Sequence, residues 1–259
     1  MIKTLCARFR QGYRTMPFPV SNDVLPERFL GRPVVSLGAA PEDCERCKAV
    51  CPTGAVGEFN GALALDLGKC LFCGECQKAC TRGAITFTRD YCLAARERKD
   101  LIMAAALSRR DRTIKERIKN IFGRSLKLRQ VSAGGCNGCE ADTNVLNTLS
   151  FDLGRFGIQF VASPRHADGI LVTGPVTKNM RLALEKTYRA VPSPKLVIAV
   201  GACAISGGPF LGHEEVHNGV DSFIPVDLYV PGCPPHPLTI LDGLLEIMGR
   251  ESPRERALK

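Results

Sequence analysis

The distribution of cysteine constrains this chain more than any other feature of its sequence. All but two of its 13 cysteines fall into short motifs or glycine-rich turns, and seven of them lie within residues 44–80. The first residues form no continuous apolar stretch of the kind that export signals contain, so we expect a cytoplasmic protein whose cysteines stay reduced. Reduced cysteines in this number indicate metal binding rather than a disulfide framework.

The composition sets broad limits on the class of protein. With 259 residues, the chain is long enough for one large domain or two smaller ones, and 45% hydrophobic residues exclude wholesale disorder. No run approaches the roughly 20 apolar residues that a membrane span needs. The cysteine pattern divides the chain into a cysteine-rich domain (residues 1–98), a basic connector (99–124) and an α/β domain (125–259), joined through that connector alone.

Two related cysteine motifs occupy the first domain. They are CERCKAVCPTGAV at residues 44–56 and CLFCGECQKACTRGAI at residues 70–85. The second has the C-x2-C-x2-C-x3-C spacing of Cys70, Cys73, Cys76 and Cys80, which is typical of iron–sulfur clusters. Zinc is the alternative for paired C-x2-C motifs, but the third and fourth cysteines fit a cluster better than a tetrahedral ion.

This region resembles a bacterial-type two-cluster ferredoxin, an α+β fold. In such proteins the fourth cysteine of each motif binds the other motif's cluster. The resemblance therefore implies one complete set, Cys51, Cys70, Cys73 and Cys76, which would hold a [4Fe–4S] cluster. The apolar runs at residues 55–56 and 84–87 would be strands.

The second set in this domain lacks one ligand. It contains only Cys44, Cys47 and Cys80, because Pro41 stands where the first cysteine of the motif belongs. This site would hold a [3Fe–4S] cluster, take a fourth ligand from elsewhere, or be empty; we favour a cluster, because three thiolates remain. The candidate fourth ligands are Cys92, Cys6, Asp43 and a water molecule.

The connector has the pattern of an amphipathic basic helix. Its apolar residues Ile114, Ile118, Ile121 and Phe122 recur every three or four positions among arginines and lysines, and the helix should end near Gly123. One interpretation is a solvated helix that covers its own core. The other is a surface for a membrane or an anionic partner. Nucleic acid is disfavoured, because aromatic residues are scarce and no readout motif occurs.

Strand-like and helical segments alternate through the last domain, which predicts a doubly wound parallel sheet. The predicted strands are residues 126–131, 158–162, 169–173, 195–200 and 226–230. The predicted helices are residues 137–151, 176–190 and 237–249.

Four cysteines follow strands of this predicted sheet, at the edge where ligands of such sheets bind. Cys136 and Cys139 follow the first strand, and Cys203 and Cys233 follow the fourth and fifth. A lone cysteine is often a small core residue, but each of these lies in a loop rich in glycine or proline. We therefore predict one four-cysteine [4Fe–4S] site.

The loops around these cysteines resemble the small subunit of membrane-bound, energy-converting [NiFe] hydrogenases of the formate hydrogenlyase type. The matching segments are GCNGCE (135–140), SPRHAD (163–168), TGPVT (173–177), GAC (201–203) and PGCPP (231–235). The cluster-bearing B-type subunit of respiratory complex I shares this flavodoxin-like fold. It has adjacent cysteines where this chain has two intervening residues, and this difference favours the hydrogenase side.

The first domain likewise resembles the ferredoxin-type subunit of these complexes, at residues 13–19 and 67–74. The resemblance implies a fusion of two electron-transfer subunits, peripheral on the inner face of the cell membrane. Electrons would enter from a soluble or docked donor at the ferredoxin clusters and leave from the last cluster to a large subunit; a soluble acceptor protein would take part if the flow is reversed. The large subunit would hold the catalytic nickel in a hydrogenase, or would have lost it in a complex-I-like quinone or ferredoxin oxidoreductase. Membrane-embedded subunits would complete the complex. A stand-alone ferredoxin-like carrier is disfavoured by the second domain.

Two further residues of the matching segments have candidate roles. Glu140 follows Cys139 directly, so it is either a carboxylate favoured by a helix N-terminus or a proton relay at the subunit interface. His166 precedes a strand and is interpreted as a loop-fixing or partner-contacting residue, because four thiolates already fill the adjacent site. The chain contains no complete catalytic site of its own.

Overall fold

The computed structural model of the chain describes residues 2–18, 25–36, 41–59, 61–80, 82–104 and 121–250. Its strands are β1 (Pro33–Val35), β2 (Val56–Phe59), β3 (Ala62–Asp66), β4 (Ile85–Phe87), β5 (Ile102–Ala104), β6 (Leu126–Ser132), β7 (Ile158–Phe160), β8 (Gly169–Thr173), β9 (Leu196–Val200) and β10 (Leu228–Val230). Its α-helices are α1 (Ile2–Gln11), α2 (Pro41–Ala49), α3 (Glu75–Ala79), α4 (Gly138–Val145), α5 (Lys178–Ala190), α6 (Ala202–Ser206) and α7 (Pro237–Ile247).

The amino-terminal unit is built from short antiparallel strands. β3 lies between β2 and β5, with Leu65 opposite both Val56 and Met103. β1 and β4 form a separate ladder, with Val35 opposite Ile85. β2 and β4 follow the two cysteine motifs, where the sequence predicts strands. The strands β1, β3 and β5 were not predicted, because runs of three to five residues show no usable periodicity.

The sheet of this unit extends beyond the boundary that the sequence suggested at residue 98. A 3-10 helix at Arg98–Leu101 leads directly into β5, which pairs with β3. Arg98 also donates two hydrogen bonds to the Asp66 carboxylate, at 2.8 and 2.6 Å. Most of the predicted amphipathic connector helix lies outside the described residues. Its last turn is helical at residues 121–122, and the helix ends before Gly123.

The carboxy-terminal unit contains a five-stranded parallel sheet with the order β10-β9-β8-β6-β7. Counted from β6, this is the flavodoxin-like order 2-1-3-4-5, which confirms the predicted fold class. Every residue of β8 and β9 is buried, as expected for central strands covered on both faces.

The helices of this unit agree with the sequence prediction in position and differ at their ends. The first ends at Val145 instead of residue 151, since turns follow it. The second begins at Lys178, because Val176 has a positive φ of 57° that no helix tolerates. The third ends at Ile247, shortly before Gly249 with φ of 75°. The short helix α6, which contains Cys203, was not predicted.

The two units pack against each other through much more than the connector. Ala95 forms an antiparallel bridge with Tyr229 on the edge strand β10, through hydrogen bonds of 2.9 and 2.8 Å. The Ser206 hydroxyl donates to the carbonyl of Gly68 at 2.8 Å. One hydrophobic core contains buried side chains from both units, among them Leu67 and Ile205. The expectation of a single connecting segment is therefore wrong, because a shared core joins the units.

The helix α1 stands apart from these cores. None of its residues is buried, while the segment that follows it is held against the carboxy-terminal unit. The Met16 backbone makes two hydrogen bonds with that unit: its N–H donates to the Ser150 carbonyl and its carbonyl accepts from the Arg155 side chain, at 2.7 and 2.6 Å. Among the described residues, no helix combines the length and apolar character needed to cross a membrane.

Candidate metal centres

Four cysteines converge at the carboxyl edge of the parallel sheet, at what we call the proximal site: Cys136, Cys139, Cys203 and Cys233. The first two lie in the turn between β6 and α4 and at the start of that helix, Cys203 lies in α6 after β9, and Cys233 follows β10. Cys203 is buried, whereas Cys136 and Cys233 are exposed at the rim. The predicted sheet edge thus brings together the four predicted side chains.

The four thiols influence one another electrostatically. Burial raises the pKa of Cys139, and the charges of Cys203, Glu140, Cys233 and Cys136 raise it further. The pKa of Cys203 is raised to about 11, first by burial and then by Cys233 and Cys136. The metal-free site therefore favours neutral thiols, and four thiolates at this place would need a positively charged partner, which bound iron would supply.

Two glycines leave room for these sulfur atoms. A Cβ on Gly201 would lie 2.5 Å from the Cys139 Sγ atom, and one on Gly208 would lie 2.9 Å from the Cys203 Sγ atom. Gly201 has φ of 90° and ψ of 155°, a conformation that is essentially restricted to glycine. Close backbone approach to the sulfurs is thus built into the loop, and this fits a bulky inorganic cluster.

Glu140 lies at the same edge, buried in the first turn of α4. Its Oε1 atom accepts hydrogen bonds from the Ser132 hydroxyl at 2.6 Å and from the Thr173 hydroxyl at 2.7 Å. Ser132 and Thr173 are the last residues of β6 and β8, so the carboxylate joins two strand ends to the helix. Glu140 was singled out from the sequence, whereas its two partners were not, because they carry no local signal.

A second group of thiols lies in the amino-terminal unit, at what we call the inner site: Cys51, Cys70, Cys73 and Cys76. These cysteines line one small cavity. The pKa of Cys70 is raised to about 12, mainly by burial. The hydrogen bond from the Phe72 N–H lowers this pKa, and the charges of Cys76, Cys51 and Cys73 raise it further. The pairing of Cys51 with the second motif is thus the juxtaposition that the ferredoxin resemblance implies.

Backbone N–H groups point at the sulfurs of both motifs. Ala55 donates to the Cys51 Sγ atom at 3.1 Å and Ala84 donates to the Cys80 Sγ atom at 3.0 Å. Each alanine follows a glycine with a positive φ (60° at Gly54, 66° at Gly83). Phe72 also donates to Cys70, at 3.3 Å, from an unfavourable positive φ of 53°. Such donors stabilise thiolates and tune the potential of a cluster.

The incomplete set is described only in part, at what we call the outer site. The pKa of Cys80 is lowered overall. Burial, the largest single influence, raises this pKa, but hydrogen bonds from the backbone N–H groups of Ala84, Arg82 and Ile85 and from the Cys47 thiol together outweigh it. Cys47 and Cys80 therefore lie together. The Cys44 side chain lies outside the described residues.

The position of the missing cysteine lies at the start of a helix. Pro41 is the first residue of α2, a place where proline is well tolerated. Of the candidate replacement ligands, Cys92 is buried in a separate hydrophobic cluster with Leu25 and Leu238. Cys6 lies on the exposed helix α1, and the Asp43 side chain lies outside the described residues.

A cleft of about 210 Å³ is lined by residues of both units. Leu71 and Phe72, from the second cysteine motif, contribute to it. The loop that carries Cys233 also lines it, together with His236. Beside it, the turn that leads to Cys70 packs on the helix that carries Cys203, through the Ser206 hydrogen bond described above.

His166 lies away from these sites. It ends a 3-10 helix that precedes β8, at the amino edge of the sheet, and it is exposed. Within the part of the chain that the structure describes, no three His, Cys, Asp or Glu side chains are arranged to hold a single metal ion. The donor sets of the inner and proximal sites, four thiols each in loops with close backbone approach, fit iron–sulfur clusters.

Known proteins resemble both units. The family of the NADH ubiquinone oxidoreductase 20 kDa subunit matches residues 136–247, and the 4Fe-4S dicluster domain matches residues 42–85. The probable membrane-bound hydrogenase subunit mbhJ of Pyrococcus furiosus is 44% identical over 48% of this chain and 74% of its own length. Formate hydrogenlyase subunit 7 of Escherichia coli is 47% identical over 49% of each chain.

Relatives also occur among quinone oxidoreductases. The B-type subunit of NADH-quinone oxidoreductase from Heliobacterium modesticaldum is 42% identical over 49% of this chain and 74% of its own length. Identity alone does not separate this group from the hydrogenase subunits, since the values are nearly equal. The chain belongs to the NADH ubiquinone oxidoreductase 20 kDa subunit family of iron–sulfur oxidoreductase subunits, with a 4Fe-4S dicluster domain ahead of the family's own domain.

Proposed function

We propose that the chain is the electron-transfer subunit of a membrane-associated complex of the [NiFe]-hydrogenase type. Electrons would travel between the ferredoxin unit and a large subunit that holds the catalytic metal. One observation carries this proposal: the second cysteine motif, at Leu71 and Phe72, and the loop of the proximal site that carries Cys233 line the same cleft, between units that share a core. A carrier whose two units moved independently would not need this fixed junction.

The contacts between the sites support one order for the route. Cys47, next to the outer site's Cys80, also contacts the carbonyl of the inner site's Cys76 at 3.6 Å. Leu71 and Phe72, which lie between Cys70 and Cys73 of the inner site, in turn line the same cleft as Cys233 of the proximal site. The proposed sequence is therefore outer, inner, proximal, and then the large subunit.

Two [4Fe–4S] clusters are assigned to the inner and proximal sites, and a third, three-iron or unusually ligated cluster to the outer site. When bound, such clusters supply one-electron redox chemistry. The chain contributes thiolates, backbone N–H donors and an apolar surrounding, all of which set the potential of each site. The large subunit would cover the exposed rim at Cys136 and Cys233.

The alternative function is the same electron-transfer role in a complex-I-like enzyme whose large subunit has lost nickel and reduces a quinone or a ferredoxin. The similarity to the B-type subunits of NADH-quinone oxidoreductases favours it. The spacing of Cys136 and Cys139 favours the hydrogenase. In both cases the chain would work at the inner face of the cell membrane, beside membrane-embedded subunits, and exchange electrons with a soluble donor or acceptor protein.

Purification of the native complex tests these functions. Affinity-tagged chain should bring down a large subunit, and metal analysis of that complex should find nickel together with iron. Hydrogen evolution from a reduced low-potential dye would then establish the hydrogenase. Iron without nickel, together with quinone or ferredoxin reduction, would establish the alternative. A chain that purifies alone and lacks iron would refute both.

The iron content tests the assignment of the three sites. Two four-iron clusters and one three-iron cluster predict about 11 irons per chain. Pro41→Cys should raise this by about one and abolish the near-isotropic paramagnetic signal that an oxidised three-iron cluster gives. Cys92→Ser is the control and should keep all iron, because Cys92 packs in a separate cluster. A content near four irons, or bound zinc, would contradict the ferredoxin assignment.

Glu140 is proposed both to join strand ends and to relay protons at the interface with the large subunit. Glu140→Ala removes the carboxylate that accepts from the Ser132 and Thr173 hydroxyls, leaves Thr173 only the Val131 carbonyl at 3.5 Å, and should lower the free energy of unfolding by about 1–3 kcal/mol. Glu140→Gln keeps an oxygen acceptor and should unfold like the wild type. A relay also predicts that Glu140→Gln lowers turnover on the order of 100-fold at unchanged iron content. Full turnover in this variant would restrict Glu140 to its hydrogen bonds.

A further inference from the structure

The helix α1 presents a large apolar surface that nothing in the described structure covers. Phe9 is 86% exposed, Ile2 is 79% exposed and Leu5 is 55% exposed. Tyr13, just after the helix, is 83% exposed, and the Arg8 guanidinium stacks on its ring at 3.8 Å. Exposed aromatic and aliphatic side chains of this size on one element mark a binding surface.

The residues of α1 are arranged in two faces. At 100° per residue, Ile2, Leu5 and Phe9 share one side of the helix. Lys3 and Arg10 flank this side on one edge and Arg8 on the other, and α1 contains no acidic residue. Apolar residues flanked by long cationic side chains are typical of helices that lie in a lipid interface.

The segment that follows α1 is attached to the carboxy-terminal unit, and α1 itself stays exposed. The Met16 backbone is hydrogen-bonded to the carboxy-terminal unit, as described above. The Phe18 ring packs edge-on against Phe156, with centroids 5.6 Å apart. The chain is thus attached from Met16 onward, whereas α1, which ends at Gln11, buries none of its own residues.

We propose that α1 binds an anionic lipid surface, with Ile2, Leu5 and Phe9 in the acyl boundary and the basic residues at the headgroups. Charge favours lipid: residues 1–22 contain arginines and a lysine but no aspartate or glutamate. A second copy of the chain is disfavoured, because one ten-residue helix offers far less than the roughly 1,200 Å² that a stable interface buries. This inference rests on the membrane association proposed above and deepens it by naming the element that makes contact.

Vesicle binding by the purified, cluster-loaded full chain tests the proposal. Wild-type protein should sediment with vesicles that contain phosphatidylglycerol, and it should bind phosphatidylcholine vesicles at least about tenfold more weakly. Leu5→Asp combined with Phe9→Asp should reduce binding to anionic vesicles by at least about tenfold. The matched control, Leu149→Asp combined with Leu182→Asp, adds the same charge at leucines that are 81% and 60% exposed, and it should bind like the wild type.

A second pair of variants, with its own control, tests the basic residues of α1. Lys3→Gln with Arg10→Gln should weaken binding to anionic vesicles by about fivefold per charge, whereas Lys186→Gln with Arg189→Gln on α5 should not. Equal binding by all variants, or no binding by the wild type, would overturn the proposal. If the α1 variants no longer fractionate with cell membranes but the wild type does not bind vesicles, α1 contacts a membrane-embedded subunit. If the α1 variants differ from the wild type in oligomeric state, α1 contacts a second copy of the chain. Either result overturns lipid binding.

This experiment is independent of the electron-transfer function. Vesicle binding that depends on α1, in a chain that carries no iron, would leave the lipid inference standing and remove the proposed function. Full iron content and activity without vesicle binding would do the reverse.

Discussion

Replacing Cys233 by serine should remove about four irons from the chain and prevent its assembly with the large subunit. The proximal thiols come from three loops, after β6, β9 and β10, so a bound cluster links three strand ends. The loss of one thiolate leaves an incompletely coordinated iron and releases the loop at residues 231–235 from the others. Since Cys233 lies at the exposed rim, the same change alters the surface that the partner would cover.

Iron analysis, the spectrum of the reduced clusters and co-purification with the large subunit measure this effect. Cys6→Ser is a matched control, because Cys6 is also exposed and lies on the helix α1, outside the proximal site. It should keep its iron and its partner. If Cys233→Ser assembled normally and kept full physiological activity, the proximal site would not lie on the electron path.

Cys73→Ser provides a contrast within the same chain. Cys73 is exposed and belongs to the inner site, so this variant should also lose about four irons while keeping the proximal cluster. Assembly and reaction with artificial dyes should survive, and electron exchange with the natural protein donor should fail. Equal loss of assembly in both variants would mean that the shared core transmits damage from one unit to the other.

Gly201→Ala should be nearly as damaging as loss of a ligand, although it removes no donor atom. The added Cβ would lie 2.5 Å from the Cys139 Sγ atom, on a backbone with φ of 90° that alanine strongly disfavours. Relief requires that the backbone or the sulfur move, and either movement displaces a ligand. We expect the free energy of unfolding to fall by about 3 kcal/mol and the proximal cluster to be lost.

Thermal unfolding and iron content together measure the effect of Gly201→Ala. Gly57→Ala is the control: Gly57 lies in β2, no atom lies within 4 Å of the position that an added methyl group would take, and its φ is not positive. This variant should keep its iron and unfold at the wild-type temperature. A Gly201→Ala protein with full iron would show that the loop has room that the structure does not indicate.

The cysteine spacing and the order of elements by themselves determined much of this protein. A C-x2-C pair lies in one short turn, so the contact between its thiols is local and can be read from the sequence. The strand–helix alternation similarly predicted a parallel sheet with Cys136, Cys203 and Cys233 at one edge. This works because a helix that crosses over between two strands makes them run parallel, so that their carboxyl ends lie at the same edge of the sheet.

The grouping of Cys51 with the second motif came from resemblance, since nothing local connects residues that lie on separate turns. Short strands were missed for a related reason: β5 is three residues long and is stabilised by pairing with β3, not by any pattern of its own. The prediction of helix ends failed at Val176, where tertiary contacts hold a positive φ that no local rule anticipates.

Only the tertiary structure decided how the two units combine. Hydrogen bonds from Ser206 to Gly68 and between Ala95 and Tyr229 join residues that are far apart in the chain. These contacts use mainly backbone groups and a serine hydroxyl, which occur throughout any sequence, so no sequence motif predicts them. The shared core and the cleft lined by both units follow from such contacts, because burial of apolar surface rewards any complementary pair of faces regardless of their separation in sequence. The sequence alone therefore determined which residues are candidates to bind metal in each proposed site, and the packing of the units decided that the second cysteine motif and the Cys233 loop line one cleft.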